Sequence, residues 1–168
     1  MDSDPRLSFS VSATTRKIRT GEVHGVHYYY MTSDEFRRRI AAGEFTEWEE
    51  VYPGRFYGTL KSELNRISAV GKVPLFDVDV VGGINLRKKF GDNALSIFIQ
   101  PPSLEILRLR LEARGTDSAE DIRLRLAKAE KEMKFSPEFD KTIVNDVLEK
   151  AVQEAKSIVA AFIENNLR

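Results

Sequence analysis

No cysteine occurs in the 168 residues, so disulfides, thiolate catalysis and zinc–thiolate centres are excluded. Charge of either sign is not in excess: 26 Lys and Arg balance 26 Asp and Glu. A bulk nucleic-acid binder needs a basic footprint, so any positive site must be local. No apolar run approaches the roughly 20 residues of a membrane span, and Met1-Asp-Ser-Asp-Pro5 does not open a signal peptide. The expectation is a cytoplasmic protein with no nucleic-acid and no membrane partner. Internal repeats and low-complexity stretches are missing as well. Histidine is scarce: His24 and His27 stand three apart with no Cys and no nearby acidic ligand triad, a weak metal pair. The phosphate-loop pattern Gly-x-x-x-x-Gly-Lys-Ser/Thr is also absent. The one Gly-Lys pair, Gly71-Lys72, runs into Val73, and Gly82-Gly83 has no lysine after it.

What remains is ordinary for a globular protein, 42% hydrophobic and 31% charged, and long enough for one domain with a real core. The segment Ser8–Tyr30 stands out. Leu7, Phe9 and Val11 alternate with Ser8, Ser10 and Ser12, which reads as a strand with one buried face. It leads into Thr14, Thr15, Arg16, Lys17 and Arg19. Hydroxyls and guanidinium forks this close suit an anion. Gly21 and Gly25 permit turns, and Tyr28, Tyr29 and Tyr30 follow with flat faces and hydroxyls. Phosphate grip followed by aromatic surface suggests a nucleotide; a basic loop leading into a Tyr-rich strand is the plainer alternative.

Thr32-Ser-Asp-Glu35 has the form of a capping box, opening a helix with Phe36, Ile40 and Ala41 inward and Gly43 at its end. Glu44 to Tyr52 alternates as a strand, with Phe45, Glu47, Glu49 and Val51 on one side, and Pro53-Gly54 is a turn. Thr59 is expected to cap a helix through Ile67, striped by Leu60, Leu64 and Ile67. Val73–Val81 is an apolar run broken by two carboxylates, the pattern of a strand covered on both faces. Ile84–Phe90 reads as a short helix. Ala94–Ile99 is a second buried strand before Pro101-Pro102. Ser103 opens a helix to Arg114 that stops at Gly115, and another runs from Ser118 to Met133. Lys141–Asn145 is a third buried strand. Glu149–Asn165 is an amphipathic helix with Ala151, Ala155, Ile158, Val159 and Phe162 inward. This order makes an α/β layered core, with an inserted α+β portion over about 13–71. Trp48 and the phenylalanines are expected in the core.

Asp77 and Asp79, two apart on the expected strand, would share a face near its carboxyl end. Ligands of open α/β sheets bind there, and an apolar strand ending in Asp is how phosphoryl-transfer enzymes hold Mg²⁺. Arg108, Arg110 and Arg114 on one helix and Arg123 and Arg125 on the next flank the polar segment Thr116–Glu120. That placement suits a lid bringing cations to phosphates.

These residues resemble the guanylate kinase family, which transfers the γ-phosphoryl of ATP to GMP. Thr14-Thr15-Arg16, Arg19, Glu22, Gly25 and Tyr28 fill every fixed position of the family's signature. Gly43-Glu-Phe-Thr-Glu-Trp48, Tyr57-Gly-Thr59, Asp77-Val-Asp79, Pro101-Pro-Ser103, Arg114-Gly-Thr116 and Val144-Asn-Asp146 look like its further landmarks, in order. The wording Asp77-Val-Asp-Val-Val-Gly-Gly83 is similar to bacterial members.

The resemblance implies a nucleoside-monophosphate-kinase-like α/β core with a parallel sheet, a GMP-binding region over about 13–71 and a helical lid over about 114–125, all in a single domain. It implies that Ser12, Arg16, Arg19 and Tyr28 hold the GMP phosphate, with the Tyr57 hydroxyl added. Glu47 and Thr59 would read guanine, and Asp79 would accept from the base. Guanine offers donors at N1 and its exocyclic amine where adenine has an acceptor at N1, so carboxylates discriminate. Asp77 would serve Mg²⁺, largely through water, with ATP as co-substrate. Arg110, Arg114 and Arg125 would clamp the transferring phosphates, and Asn145 would lie against adenine. The implied protein is a monomer or homodimer.

Lys17-Ile18 stand where the family often has proline, and Val147 replaces a frequent aspartate. A larger departure is that family members begin with a strand, the phosphate loop and its helix, and this chain starts after them. The expectation is therefore little or no kinase activity from these 168 residues. Two rivals are a non-catalytic GMP-binding module and a protein-interaction domain of the guanylate-kinase-like kind.

Overall fold

A computed structural model describes residues 4–115 and 117–166. The backbone divides into two compact units, Met1–Leu86 and Arg87–Arg168. In the first, β1 (Leu7–Phe9) pairs in parallel with β6 (Val73–Leu75). A second, four-stranded sheet has the order β3-β2-β5-β4. Its strands are β2 (Ala13–Thr14), β3 (Tyr29–Tyr30), β4 (Phe45–Tyr52) and β5 (Arg55–Leu60). β4 and β5 form the antiparallel hairpin that Pro53-Gly54 calls for, with Gly54 at φ +72°.

Helix α1 (Ser33–Ala41) starts where the capping box lies: Thr32 Oγ1 accepts from the Glu35 N–H at 3.2 Å. Phe36 from α1 stacks on Phe45 at 4.4 Å between centroids and packs against Phe56 at 5.6 Å. Ala13 and Leu60 complete this core, which fixes the hairpin against the start of the chain. Ala41, expected inward, is exposed. Helix α2 (Lys61–Ser68) follows β5 directly, and Ile67 on it is buried.

Several expectations are corrected here. The serines of the first segment do not form a wet face, since Ser10 (1% exposed) and Ser12 are as buried as Val11. Thr59 does not cap α2. It lies within β5, and the cap position, Leu60, carries no side-chain bond. The run Val73–Val81 is not one strand. β6 ends at Leu75, and helix α3 (Val80–Phe90) already includes Val80 and the two glycines. Asp77 and Asp79 therefore sit in the connection between β6 and α3. Trp48, expected in the core, is 42% exposed and only edges it, its ring 6.3 Å from that of Phe56.

In the second unit β7 (Ile97–Gln100) and β8 (Lys141–Val144) pair in parallel. Phe98 and Ile143 are buried, but Ile99 is 59% exposed, so neither strand is covered on both faces as expected. Helix α4 (Leu104–Arg114) is capped by Ser103 Oγ and ends at Gly115 with φ +67°. Helix α5 (Ala119–Glu132) is capped by Ser118, and α6 (Leu148–Asn166) closes the chain. Ala151 and Ile163 are its buried residues. Thr116, the start of the expected polar segment, lies outside the described residues, while Ala119 and Glu120 already belong to α5.

Candidate functional site

The first unit carries a cleft of about 210 Å³ lined by Ser12, Tyr28, Glu47, Glu49, Val51, Tyr57, Gly58, Asp77, Val78 and Asp79. That is smaller than the roughly 300–1,000 Å³ of sites for whole drug-sized ligands, and it suits a planar base better than a complete nucleotide. Strand alternation in β4 puts Glu47, Glu49 and Val51 on this wall together, while Trp48 and Glu50 point away. The β6–α3 connection brings Asp77 and Asp79 to the same cleft without the strand that sequence implied.

Of the four acidic residues that line it, Glu47 and Asp79 are held by hydrogen bonds within the unit. Glu47 Oε1 accepts from the Thr59 hydroxyl at 2.7 Å, and Asp79 Oδ1 accepts from the Gly82 N–H at 2.9 Å. Each thus has one oxygen pinned by a protein donor, at a distance normal for a strong hydrogen bond. Burial pushes the Glu47 carboxyl up; the Thr59 hydroxyl opposes this and the charge of Asp79 adds to it, with a net rise. Thr59 itself is fully buried behind Glu47.

At the aromatic side, Tyr28 and Tyr57 meet edge to face at 6.0 Å. The Arg16 guanidinium lies 5.3 Å from the Tyr28 ring centre and 5.7 Å from that of Tyr30. Glu22 grips Arg16 bidentately at 3.0 and 2.7 Å. The same carboxylate accepts from the Arg19 N–H at 2.8 Å and the Tyr30 hydroxyl at 2.7 Å. Arg16 first, then Tyr30 and the Arg19 N–H, hold the Glu22 carboxyl down at about 2 against the opposing effect of desolvation. Arg16 is raised in turn, chiefly by Glu22, and stays cationic. The Arg19 side chain is exposed. Burial, then the charge of Asp77, raises the Tyr28 phenol, which keeps it a neutral donor.

His24 and His27 are not placed as metal ligands. Their Nδ1 atoms accept from the backbone N–H groups of Tyr30 (3.2 Å) and Val23 (3.0 Å), bracing the loop between β2 and β3. Among the described residues no group of three or more His, Cys, Asp or Glu could hold a metal ion.

The arginines expected to clamp phosphates lie in the second unit. Arg110 donates to the backbone carbonyls of Asn145 and Asp146 at 2.7 and 2.9 Å, tying α4 to the end of β8. Arg114 pairs with Asp117, and Arg125 reaches the other oxygen of Asp117 at 3.3 Å. One carboxylate, with a side chain only 6% exposed, thus gathers two cations from consecutive helices. Arg108 and Arg123 are instead engaged by Glu105 and Glu120, neighbours on their own helices.

Sequence reasoning gave no role to Glu22, Asp117 or Glu63. Glu22 was visible as the signature's acid, six residues from Arg16, and Asp117 as the acid between two arginines. Glu63 sits inside the Leu60, Leu64, Ile67 stripe, an unexplained charge among apolar positions. It is 2% exposed and accepts from the Val11 N–H at 3.0 Å and the Tyr29 hydroxyl at 2.7 Å, paired with Arg66.

Comparison with known proteins agrees with this geometry. A family model described as guanylate kinase matches residues 2–162. A guanylate kinase of Bacteroides fragilis is 54% identical over 157 residues, covering 94% of this chain and 77% of that protein. One from Porphyromonas gingivalis is 51% identical over 162 residues, covering 96% and 86%. The crystal structure of guanylate kinase from Anaplasma phagocytophilum superposes with a TM-score of 0.77 at 33% identity, over 93% of this chain and 75% of that one. The likeness extends across the signature loop, the carboxylate-lined cleft and the arginine-bearing helices alike, and on that breadth the chain belongs to the guanylate kinase family of phosphotransferases.

Proposed function

We propose that the cleft of the first unit takes the guanine of GMP and that the chain serves Mg²⁺-dependent transfer of a phosphoryl group from ATP to GMP, giving ADP and GDP. The observation that carries this reading is the pair Glu47 and Asp79, each with one oxygen held by the protein and both on one base-sized cleft. Carboxylates so placed accept from guanine N1–H and its amine, and they repel the N1 lone pair of adenine. Thr59 acts through Glu47, fixing its orientation. Arg16, backed by Tyr28, Tyr57 and Ser12, binds the acceptor phosphate, with Arg19 closing over it from the loop. Glu22 holds Arg16 in place until the phosphate arrives.

Asp77 fits Mg²⁺ as one hard oxygen donor that leaves the ion its waters and the substrate phosphates. The ion would neutralise charge on the transferring phosphates. Arg110, Arg114 and Arg125 supply fixed positive charge to the same phosphates, a positioning role that needs no covalent intermediate. Asn145 lies against adenine. In this reading the chain is one domain with a GMP-binding region over about 13–71 and a lid over about 114–125. It works in the cytoplasm as a monomer or homodimer.

The 168 residues contain no Gly-x-x-x-x-Gly-Lys-Ser/Thr pattern, so nothing among them offers the β and γ phosphates that cradle. We expect GMP binding from this polypeptide with little or no turnover, which favours a GMP-binding module as the second reading. A protein-interaction domain is disfavoured, since guanine-reading carboxylates serve no peptide. Titration calorimetry with GMP and AMP tests the acceptor site. Binding of GMP that is preferred over AMP and lost in Arg16→Ala supports it; equal binding of the two sinks it. Normal turnover in a coupled ADP assay would refute the low-activity claim alone.

A further inference from the structure

Gly82 is the third residue of α3, buried, and its backbone does not need a glycine: it is not among the positive-φ glycines of the chain. Alanine is favoured over glycine inside a helix, so local conformation argues against glycine here. The reason lies across the cleft. A Cβ on Gly82 would stand 3.0 Å from Glu47 Oε2, 3.0 Å from Asp79 Oδ1 and 3.4 Å from the Cβ of Val78. Both carboxylates crowd the same point, and both contacts are tighter than a methyl group tolerates at rest. The N–H of Gly82 at the same time donates to Asp79 Oδ1 at 2.9 Å.

We propose that Gly82 is a positioning residue for base discrimination: the absence of its side chain lets Glu47 and Asp79 converge on the cleft, while its N–H orients Asp79. This rests on the reading of the cleft as a guanine site. Each carboxylate has one oxygen anchored, Glu47 by Thr59 and Asp79 by Gly82. A methyl at residue 82 pushes on the second oxygen of Glu47 and the anchored oxygen of Asp79, so both acceptors shift by a few tenths of an ångström. Directional hydrogen bonds to guanine are lost by that movement. The phosphate end of the ligand, held at Arg16 and Tyr28, is not touched.

The test compares the wild-type chain with Gly82→Ala for GMP and AMP binding by calorimetry, alongside thermal melting. GMP binding is expected to weaken roughly tenfold or more with AMP binding unchanged, so that the preference for GMP shrinks. In a Glu47→Ala background, the same Gly82→Ala change is expected to add a smaller further loss, because only the displacement of Asp79 remains. Unchanged GMP affinity overturns the proposal, and so does an equal loss of GMP, AMP and melting temperature. Should Gly82→Ala alone fail to fold, Glu47→Ala/Gly82→Ala is expected to fold, one of the two crowded oxygens being gone; persistent unfolding there also overturns the proposal. Failure of the guanine reading itself shows separately, as a wild-type chain without preference for GMP.

Discussion

Replacing Glu63 with alanine should destabilise the first unit by about 3 kcal/mol. The magnitude follows from what the carboxylate holds. Its Oε2 accepts from the Val11 N–H at 3.0 Å and its Oε1 from the Tyr29 hydroxyl at 2.7 Å. A buried N–H left without an acceptor costs about 1–3 kcal/mol, and a hydrogen bond to a charged group contributes about 1.5–3 kcal/mol. Tyr29 is only partly buried and can turn to water, so its loss falls at the low end. Arg66 is half exposed and returns to solvent at little cost. Glu63→Gln keeps the shape and one acceptor, so about half the loss is expected. Urea unfolding read by Trp48, the chain's one tryptophan, reports on this unit. A loss under about 0.5 kcal/mol in Glu63→Ala would refute the reasoning. A pH series supplies an independent check. Burial pushes the Glu63 carboxyl up from its ordinary 4.5, but Arg66, the Val11 N–H and the Tyr29 hydroxyl outweigh it and the net direction is down. A folded state that binds the proton less tightly than the unfolded chain gains stability above about 4.5 and loses it as pH falls through the folded value. Glu63→Gln should lack that acid-side loss.

Two further changes address the cleft itself. Glu47→Gln places an amide donor toward guanine donors and removes a charge-assisted bond, so GMP affinity should fall by about 2–3 kcal/mol, some 30- to 150-fold, with AMP little affected. Because burial raises the Glu47 carboxyl, GMP binding by the wild-type chain should weaken on acidification already above 4.5. AMP carries the same titrating phosphate and controls for it in calorimetry. Gly58→Ala should cost about 3 kcal/mol or more, since a Cβ there would meet the Glu47 carbonyl oxygen at 2.7 Å and the Trp48 Cβ at 2.8 Å, backbone and near-backbone atoms that cannot give way. A melting temperature within a degree of wild type would contradict it.

Signals that act within a few residues were readable in advance. Thr32 and Ser103 cap their helices, Gly115 ends α4, and Pro53-Gly54 turns the hairpin. In each case the hydrogen bond or the dihedral involved is local, so residue type decides it. The alternation of β4 set Glu47, Glu49 and Val51 on the cleft wall, but a register shift between Phe45 and Glu47 turns Phe45, expected on that side, into the core. The run Val73–Val81 shows the limit. Its apolar residues are compatible with a long strand, yet β1 offers a ladder to Val73, Pro74 and Leu75 alone, and the chain then turns into α3. A strand lasts only as long as a neighbour supplies its hydrogen bonds, and the neighbour is some 65 residues away in sequence.

The same division runs through the site. Residue types and spacing marked the groups: an arginine-rich hydroxyl loop, two carboxylates in an apolar run and a family signature filled at every fixed position. Tertiary structure alone decided how these groups are held. Glu22 grips Arg16, Asp117 draws Arg114 to Arg125, Glu63 fastens the segments bearing Ser12 and Tyr28, and Gly82 leaves room for two carboxylates at one point. Such holding contacts join elements distant in sequence, through oxygens and empty space whose positions no local pattern encodes.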